Sequence, residues 1–149
     1  MADATAGAEG PVGLPVVIVD IGIDVNDLPL MTTFYESLVG FKTVRRGDGY
    51  SYLVNPSNAG PHLFLQQVPE VRTEKNRLHL DIVVPSLPEA VRRAETLGAV
   101  RVAEFRTHIT WFVVLSDPEG NQFCLVDAPY WDVTKPPYWE DRNRANSAL

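Results

Sequence analysis

Residues 16–25 read VVIVDIGIDV, and residues 77–84 read RLHLDIVV. In both stretches apolar residues alternate with other residue types, which is the pattern of a β-strand with one buried face. A helix-like stretch follows each of them and ends at a glycine, Gly40 in the first case and Gly98 in the second. Three further strand-like runs follow each helix. The sequence therefore predicts the order βαβββ twice.

The spacing within the two halves agrees. Gly40 lies 20 residues after Asp20, and Gly98 lies 19 residues after His79. The last strand-like run of each half has a polar or thiol residue 26 positions after its glycine. A tandem repeat of this kind folds around a pseudo-twofold axis, and equivalent residues of the halves are expected to converge there. The candidate site residues on this argument are Asp20, Gln66, His79 and Cys124.

The predicted fold class is α+β, with two curved mixed sheets around a cleft. One βαβββ module is expected over residues 16–68 and the other over 77–128, after a flexible arm at 1–15 and before an aromatic, proline-rich tail at 129–149. The predicted strands are 16–25, 42–46, 50–54, 62–68, 77–84, 100–105, 109–116 and 122–126.

Strand alternation predicts which side chains line the cleft. The helices must cover the apolar strand faces, so Asp20 and His79 are expected on the opposite faces. In the last strand of each module, Gln66 and Cys124 are expected to point the same way. All four side chains should then face one shared cavity.

Two aromatic residues extend this candidate site. Tyr52 is predicted to line the cavity from the middle of a strand-like run. Either Trp111 or its neighbour Phe112 must face the cavity, because adjacent strand residues point to opposite faces. Trp111 is taken as the cavity residue, although it shares its parity with Val113.

Composition limits the classes of partner. The chain has 149 residues, 45% of them apolar, and a formal net charge of −6. An acidic chain is a poor partner for nucleic acid or for an anionic membrane surface. No apolar run approaches the roughly 20 residues that span a bilayer, and the N-terminus lacks the features of a signal peptide. Cys124 is the only cysteine, which indicates a cytoplasmic protein.

Three stretches carry a resemblance to a known superfamily: residues 34–41 (FYESLVGF), 76–81 (NRLHLD) and above all 117–125 (DPEGNQFCL). With the repeated βαβββ order, they resemble the vicinal-oxygen-chelate superfamily, which includes glyoxalase I, extradiol dioxygenases, methylmalonyl-CoA epimerase and bleomycin-resistance proteins. The chain looks most like the glyoxalase-like branch common in actinobacteria. The resemblance covers about residues 16–128 and implies a sheet-lined cavity for a small molecule. It does not select a reaction, because one fold hosts many.

The resemblance also bears on a metal. Metal-using members carry His, Glu or Gln at four equivalent strand positions, which here fall on Asp20, Gln66, His79 and Cys124. Asp20 stands in place of the usual first histidine, and Cys124 in place of the usual last glutamate. With two departures from four, no metal and no other cofactor is expected. A divalent ion on Asp, His and Cys would be zinc rather than an oxygen-preferring ion.

Three function classes remain open. The first is a metal-free protein that binds an apolar or aromatic small molecule, with Gln66, Cys124, Trp111 and Tyr52 as ligand-binding residues. The second is a lyase- or isomerase-type enzyme that uses His79 and Asp20 as acid–base groups, or a divalent metal. The third is an interaction module whose cleft is filled by its own side chains. A homodimer is expected, because pairing of chains covers sheet edges.

Overall fold

The computed structural model describes residues 18–57, 60–108 and 110–130. Within them lie eight strands, two helices and a short 3-10 turn, in the predicted order βαβββ–βαβββ. The elements are β1 Asp20–Val25, α1 Leu28–Val39, β2 Lys42–Gly47, β3 Tyr50–Val54, β4 His62–Gln67, β5 Asp81–Val84, α2 Leu87–Thr96, β6 Val100–Arg106, β7 Trp111–Ser116, β8 Gln122–Asp127 and the turn Ala128–Tyr130.

The strands form two four-stranded sheets with the same internal order. The first sheet runs β1-β4-β3-β2, and the second runs β5-β8-β7-β6. In each sheet the innermost pair, β1 with β4 and β5 with β8, is parallel, and the other pairs are antiparallel. This mixed α+β architecture confirms the predicted fold class.

Helix α1 begins and ends on local sequence signals. The Asp27 side chain accepts a hydrogen bond from the backbone N–H of Leu30 at 3.0 Å, which satisfies a donor that the first helical turn leaves unpaired. The helix ends at Gly40, whose φ of 72° lies in the left-handed region that glycine adopts without strain. Met31 and Phe34 are buried against the first sheet, as helical spacing predicts.

Helix α2 is tied to the second sheet at its start. Ser86 occupies the N-cap position without a side-chain hydrogen bond. Instead, the Asp127 carboxylate at the end of β8 accepts the backbone N–H of Leu87 at 3.1 Å. The helix then buries Val91 and Ala94, one turn apart, on the face toward the sheet.

One hydrophobic core joins both helices to the sheets. Its fully buried members come from both modules, so the halves form one body rather than two independent folds. These members include Met31, Phe34, Leu53, Leu65, Leu87, Val91, Leu115, Phe123 and Leu125.

Two strands are shorter than predicted. Strand β5 begins at Asp81 rather than at residue 77, and β1 begins at Asp20. Ahead of β5, the side-chain amide of Asn76 takes the place of a strand backbone: it accepts the N–H of Gln122 at 2.8 Å and donates to the Gln122 carbonyl at 3.0 Å. His79 consequently lies just before the strand that was expected to contain it.

The turn that follows β7 holds the two modules together. The Asp117 carboxylate is buried and accepts a hydrogen bond from the Tyr35 hydroxyl of α1 at 2.9 Å. It also accepts the backbone N–H groups of Glu119 and Asn121 at 3.0 and 2.8 Å. Burial raises the pKa of Asp117, and the hydrogen bond from Tyr35 is the largest influence in the opposite direction.

A second contact crosses the module boundary from the same turn. The Glu119 carboxylate accepts the backbone N–H of Asn26 at 2.8 Å and that of Asp27 at 2.6 Å. Negative charge at this position also suits the positive end of the helix dipole. The sequence 117–121 therefore links the loop after β7 to the start of α1.

Candidate functional site

The face of each sheet that points away from the helices is called its helix-free face. On the first sheet, strand register aligns side chains of this face into rows that cross all four strands. One row is Arg45, Tyr52, Phe64 and Gly22, and the next is Gly47, Tyr50, Gln66 and Asp24.

Aromatic rings occupy the centre of this face. The Tyr50 and Phe64 rings stack with centroids 5.9 Å apart, and the Tyr52 ring lies 6.3 Å from Phe64 and 5.9 Å from His62. A Cβ atom at Gly47 would overlap the Tyr50 ring, so glycine is required where that ring lies across the edge strand. All four rings are half-buried and leave part of their surface to solvent.

A carboxylate borders these rings. The Tyr52 hydroxyl donates a hydrogen bond to Asp20 at the start of β1. This hydrogen bond, followed by partial burial and the negative charge of Asp20, raises the pKa of Tyr52. The predicted residues Asp20 and Tyr52 are therefore direct neighbours, a pairing that strand spacing alone did not reveal.

The helix-free face of the second sheet is chemically different. Its rows are aligned by the same register but carry mostly apolar side chains. One row is Ala103, Val114, Cys124 and Asp81, and the next is Phe105, Phe112, Val126 and Val83.

His79, Asp81 and Cys124 form a compact group at the inner edge of this face. His79 Nε2 lies 3.4 Å from an Asp81 carboxylate oxygen. One donor atom from each of the three residues lies within 4.8 Å of the others. His79 and Asp81 are exposed, whereas Cys124 is buried.

The thiol of this group is not reactive at neutral pH. Burial raises the pKa of Cys124 to about 12, and the hydrogen bond to Asp81 and the Asp81 charge act in the same direction. A thiol with such a pKa is neither a nucleophile nor a pre-formed anionic metal ligand at pH 7.

Strand register corrects the predicted equivalence of Gln66 and Cys124. Gln66 pairs with Asp24, one residue before the end of β1, whereas Cys124 pairs with Asp81, three residues before the end of β5. The structural counterpart of Cys124 is therefore Phe64, two positions earlier than expected. Counting from the helix glycines failed because α1 and α2 differ in length, with 12 and 10 residues.

Trp111 lies on the other side of the second sheet from the predicted cavity. It shares the parity of buried Val113 and packs against the hydrophobic core. Its indole N–H donates to Glu104 at 2.8 Å, and the Arg106 guanidinium lies 4.2 Å from its ring centroid. Phe112 is the residue of this pair on the helix-free face.

A cavity of about 220 Å³ lies where the modules meet. Neither inner strand, β1 or β5, has a strand partner on its inner side. Of the four residues predicted to share one cavity, His79 lines this one, while Asp20 lies beside Tyr52 and Gln66 beside Tyr50. Its lining includes Gly22, Asp24, Tyr35, Asn76, His79 and Gln122.

Several residues of the site were missed in the sequence. Asp81 was available from parity, because it lies two residues after His79 on the same strand face. His62 was assigned a surface role, but its Nδ1 accepts the backbone N–H of Asn55 at 3.1 Å and its ring contacts Tyr52. Phe64 was available from the alternation within 62–67, since its neighbours Leu63 and Leu65 are buried.

Comparison with known proteins now assigns a family. The model of the glyoxalase-like domain family matches residues 20–126, most of the chain. The chain belongs to this family. No curated protein matches the sequence.

Solved structures share the fold at low sequence identity. A glyoxalase/bleomycin resistance protein/dioxygenase family enzyme from Burkholderia phytofirmans is 20% identical, with a TM-score of 0.65 over 75% of this chain and 98% of its own. A lactoylglutathione lyase from Agrobacterium tumefaciens is 16% identical, with a TM-score of 0.58 over 79% and 98%. The fosfomycin resistance protein FosX from Listeria monocytogenes, in complex with Mn(II) and a dihydroxypropylphosphonic acid, is 15% identical, with a TM-score of 0.65 over 81% and 94%.

The donors found in this chain do not suit the manganese of that last structure. Mn²⁺ prefers carboxylate, carbonyl and water oxygens, whereas the group here contributes one imidazole, one carboxylate and one thiol. This set is chemically acceptable to zinc, which takes Cys, His and Asp ligands. Binding would require loss of the Cys124 proton, which its pKa of about 12 opposes.

Among the described residues, neither helix is long and apolar enough to cross a membrane.

Proposed function

We propose that this protein binds a small molecule on the helix-free face of its first sheet, without a metal. The observation that carries the proposal is the Asp20–Tyr52 pair beside the half-buried rings of Tyr50 and Phe64. Half-buried aromatic rings next to a fixed polar pair are typical of ligand sites, since the rings supply contact area and the polar group supplies orientation. Membership of the glyoxalase-like family supports the proposal, and assignment to an actinobacterial branch stays a prediction.

The chemistry of this face favours one kind of ligand. Asp20 and Asp24 contribute two carboxylates, and Arg45 contributes one cation. Aromatic faces attract cations, and carboxylates accept N–H and O–H groups. We therefore propose a ligand with a planar apolar part and an amine or hydroxyl donor, not a carboxylate.

A thermal-shift panel tests the proposal. Planar aromatic compounds are presented in matched sets as amine, alcohol and carboxylate. Amines and alcohols should raise the melting temperature, and carboxylates should not. Asp20→Asn and Tyr52→Phe should remove the shift, whereas Asp48→Asn, an exposed residue in the β2–β3 turn, should keep it. Equal shifts in all three variants would contradict the proposed site.

Metal dependence is tested separately. The protein as purified should contain less than stoichiometric transition metal, and the shift should survive a chelator. Stoichiometric zinc with loss of binding after chelation would replace this proposal by a site on His79, Asp81 and Cys124.

An enzymatic alternative rests on the His79–Asp81 pair. A histidine held by a carboxylate at the edge of a cavity is the arrangement of a general base, and imidazole titrates in the physiological range. The chemistry would be proton transfer next to a carbonyl, as in a lyase or isomerase. Asp20, the predicted partner of His79, is hydrogen-bonded to Tyr52 instead.

The alternative predicts a selective effect of one histidine. His79→Ala should abolish proton exchange at the carbon next to a carbonyl in a bound ketone, measured by deuterium incorporation. His108→Ala is the matched control, because His108 is exposed in the β6–β7 connection. Equal effects of the two substitutions would exclude this role.

Homodimer formation and a cytoplasmic location stay proposals. The two outer strands, β2 and β6, expose Val44, Val100 and Val102, which a second copy would cover. Light scattering at micromolar concentration should give twice the chain mass, and a monomer would contradict it. The predicted contribution of Trp131 and Trp139 lies outside the described residues.

A further inference from the structure

The second sheet presents an apolar row that the proposed function does not use. This apolar row consists of Phe105, Phe112, Val126 and Val83, one from each strand and all in register. The Phe105 and Phe112 rings stack with centroids 4.9 Å apart. The two ends of the row, Phe105 and Val83, remain 49% and 39% exposed.

The equivalent row of the first sheet is polar. It consists of Gly47, Tyr50, Gln66 and Asp24. The segments that follow the two modules differ in the same sense: 69–76 reads PEVRTEKN, whereas 131–139 reads WDVTKPPYW. An apolar row and an aromatic segment thus occur together in the second half and are both missing from the described first half.

We propose that residues 131–139 of the same chain dock on the apolar row and cover it. The row ends near the point where the segment starts, because Val126 is the second-last residue of β8 and the turn Ala128–Tyr130 follows directly. A proline-rich chain extends by about 3.1 Å per residue, so nine residues reach about 28 Å. Four strands at about 4.8 Å spacing are only about 14 Å wide, so the segment spans the row.

The size of the row favours this occupant over a second copy. Four side chains offer far less than the roughly 800 Å² per partner that a stable interface buries. A tethered segment needs less area, because attachment gives it an effective concentration in the millimolar range for a short linker. Trp131, Tyr138 and Trp139 supply large apolar area with few rotatable bonds.

Tryptophan fluorescence of the full-length chain tests the proposal. Trp131 and Trp139 report on the segment, while Trp111 packs on the opposite side of the sheet and gives a constant contribution. Phe105→Asp should shift the emission to the red and increase quenching by iodide. Val44→Asp is the matched control, since Val44 is an equally exposed apolar residue on the other outer strand, β2, and it should change neither quantity.

A second measurement avoids reliance on a variant that fails to fold. In an isotopically labelled chain diluted with unlabelled protein, nuclear Overhauser effects should connect the ring protons of Trp131, Tyr138 or Trp139 to the methyl groups of Val126 or Val83. Absence of these effects in folded protein would overturn the proposal. Quenching that falls as the protein concentration rises would also overturn it, in favour of a second copy. Equal quenching in the two aspartate variants would leave the segment off the row and overturn it too.

Discussion

The two sheets match on the side that faces the helices and differ on the side that does not. Toward the helices, Leu65 of β4 and its counterpart Leu125 of β8 are both fully buried. On the helix-free faces, Phe64 corresponds to Cys124, and Tyr50 to Phe112. The shared side is constrained by packing against a common core, whereas the other side is free to carry different chemistry. The repeat therefore predicts the scaffold well and the site poorly.

The largest expected effect tests the shared side. Leu65→Ala and Leu125→Ala should each lower the free energy of unfolding by about 2–5 kcal/mol, because each leaves a cavity at a fully buried position. Urea denaturation measures both, with exposed Val44→Ala as a control expected within about 0.5 kcal/mol of wild type. A negligible cost at either leucine would show that the two halves do not share one core.

The next effect concerns the link between the modules. Tyr35→Phe removes the hydroxyl that donates to buried Asp117 and should cost about 1–3 kcal/mol of stability. It also removes an influence that lowers the pKa of Asp117, whose folded-state pKa is already raised by burial. A carboxyl with a raised folded-state pKa contributes stability below its unfolded pKa and loses it as pH rises through the folded value.

The cost of Tyr35→Phe should therefore be larger at pH 7 than at pH 3. Urea denaturation of the variant and the wild type at both pH values gives the difference, in which contributions common to the two proteins cancel. A cost that is equal or smaller at pH 7 would show that Asp117 does not carry its charge in the folded protein.

A smaller effect separates the helix-free faces. Phe64→Ala should weaken binding of a thermal-shift hit by roughly 1 kcal/mol, about five-fold, because one aromatic contact is lost. Cys124→Ala, at the structurally equivalent position, should leave the affinity within about two-fold. Isothermal titration calorimetry measures both variants. The reverse order of effects would move the site to the second sheet.

The smallest effect concerns Cys124 itself. Its pKa of about 12 predicts slow alkylation by a maleimide at pH 7 and a rate that still rises with pH at pH 9. Urea-unfolded chain, with an ordinary thiol pKa, is the control and should react much faster. A folded-state rate that levels off near pH 8 would reveal an activated thiol.

The sequence predicted elements that depend on local periodicity. Alternation in 50–54 and 62–67 gave the strand faces, and Gly40 gave the end of α1. It also placed Asp20 and His79 at equivalent positions, each five residues before the end of the strand that follows or contains it. These signals were sufficient because each depends on neighbours within one element.

Contacts between elements could not be predicted in this way. Tyr35 and Asp117 are 82 residues apart, and no period in the sequence connects them. Trp111 was assigned to the wrong side although its parity with buried Val113 indicated the core. Gln66 and Cys124 were aligned through helices of unequal length, so an error of two residues passed directly into the predicted site.

Mapping a bound ligand by backbone amide NMR tests the central claim most directly. A hit from the amine or alcohol panel is titrated into labelled full-length protein, and shift changes are assigned to residues. The account predicts that the largest changes fall on the first sheet, around Asp20, Tyr52 and Phe64. Largest changes around His79 and Cys124 on the second sheet would contradict it.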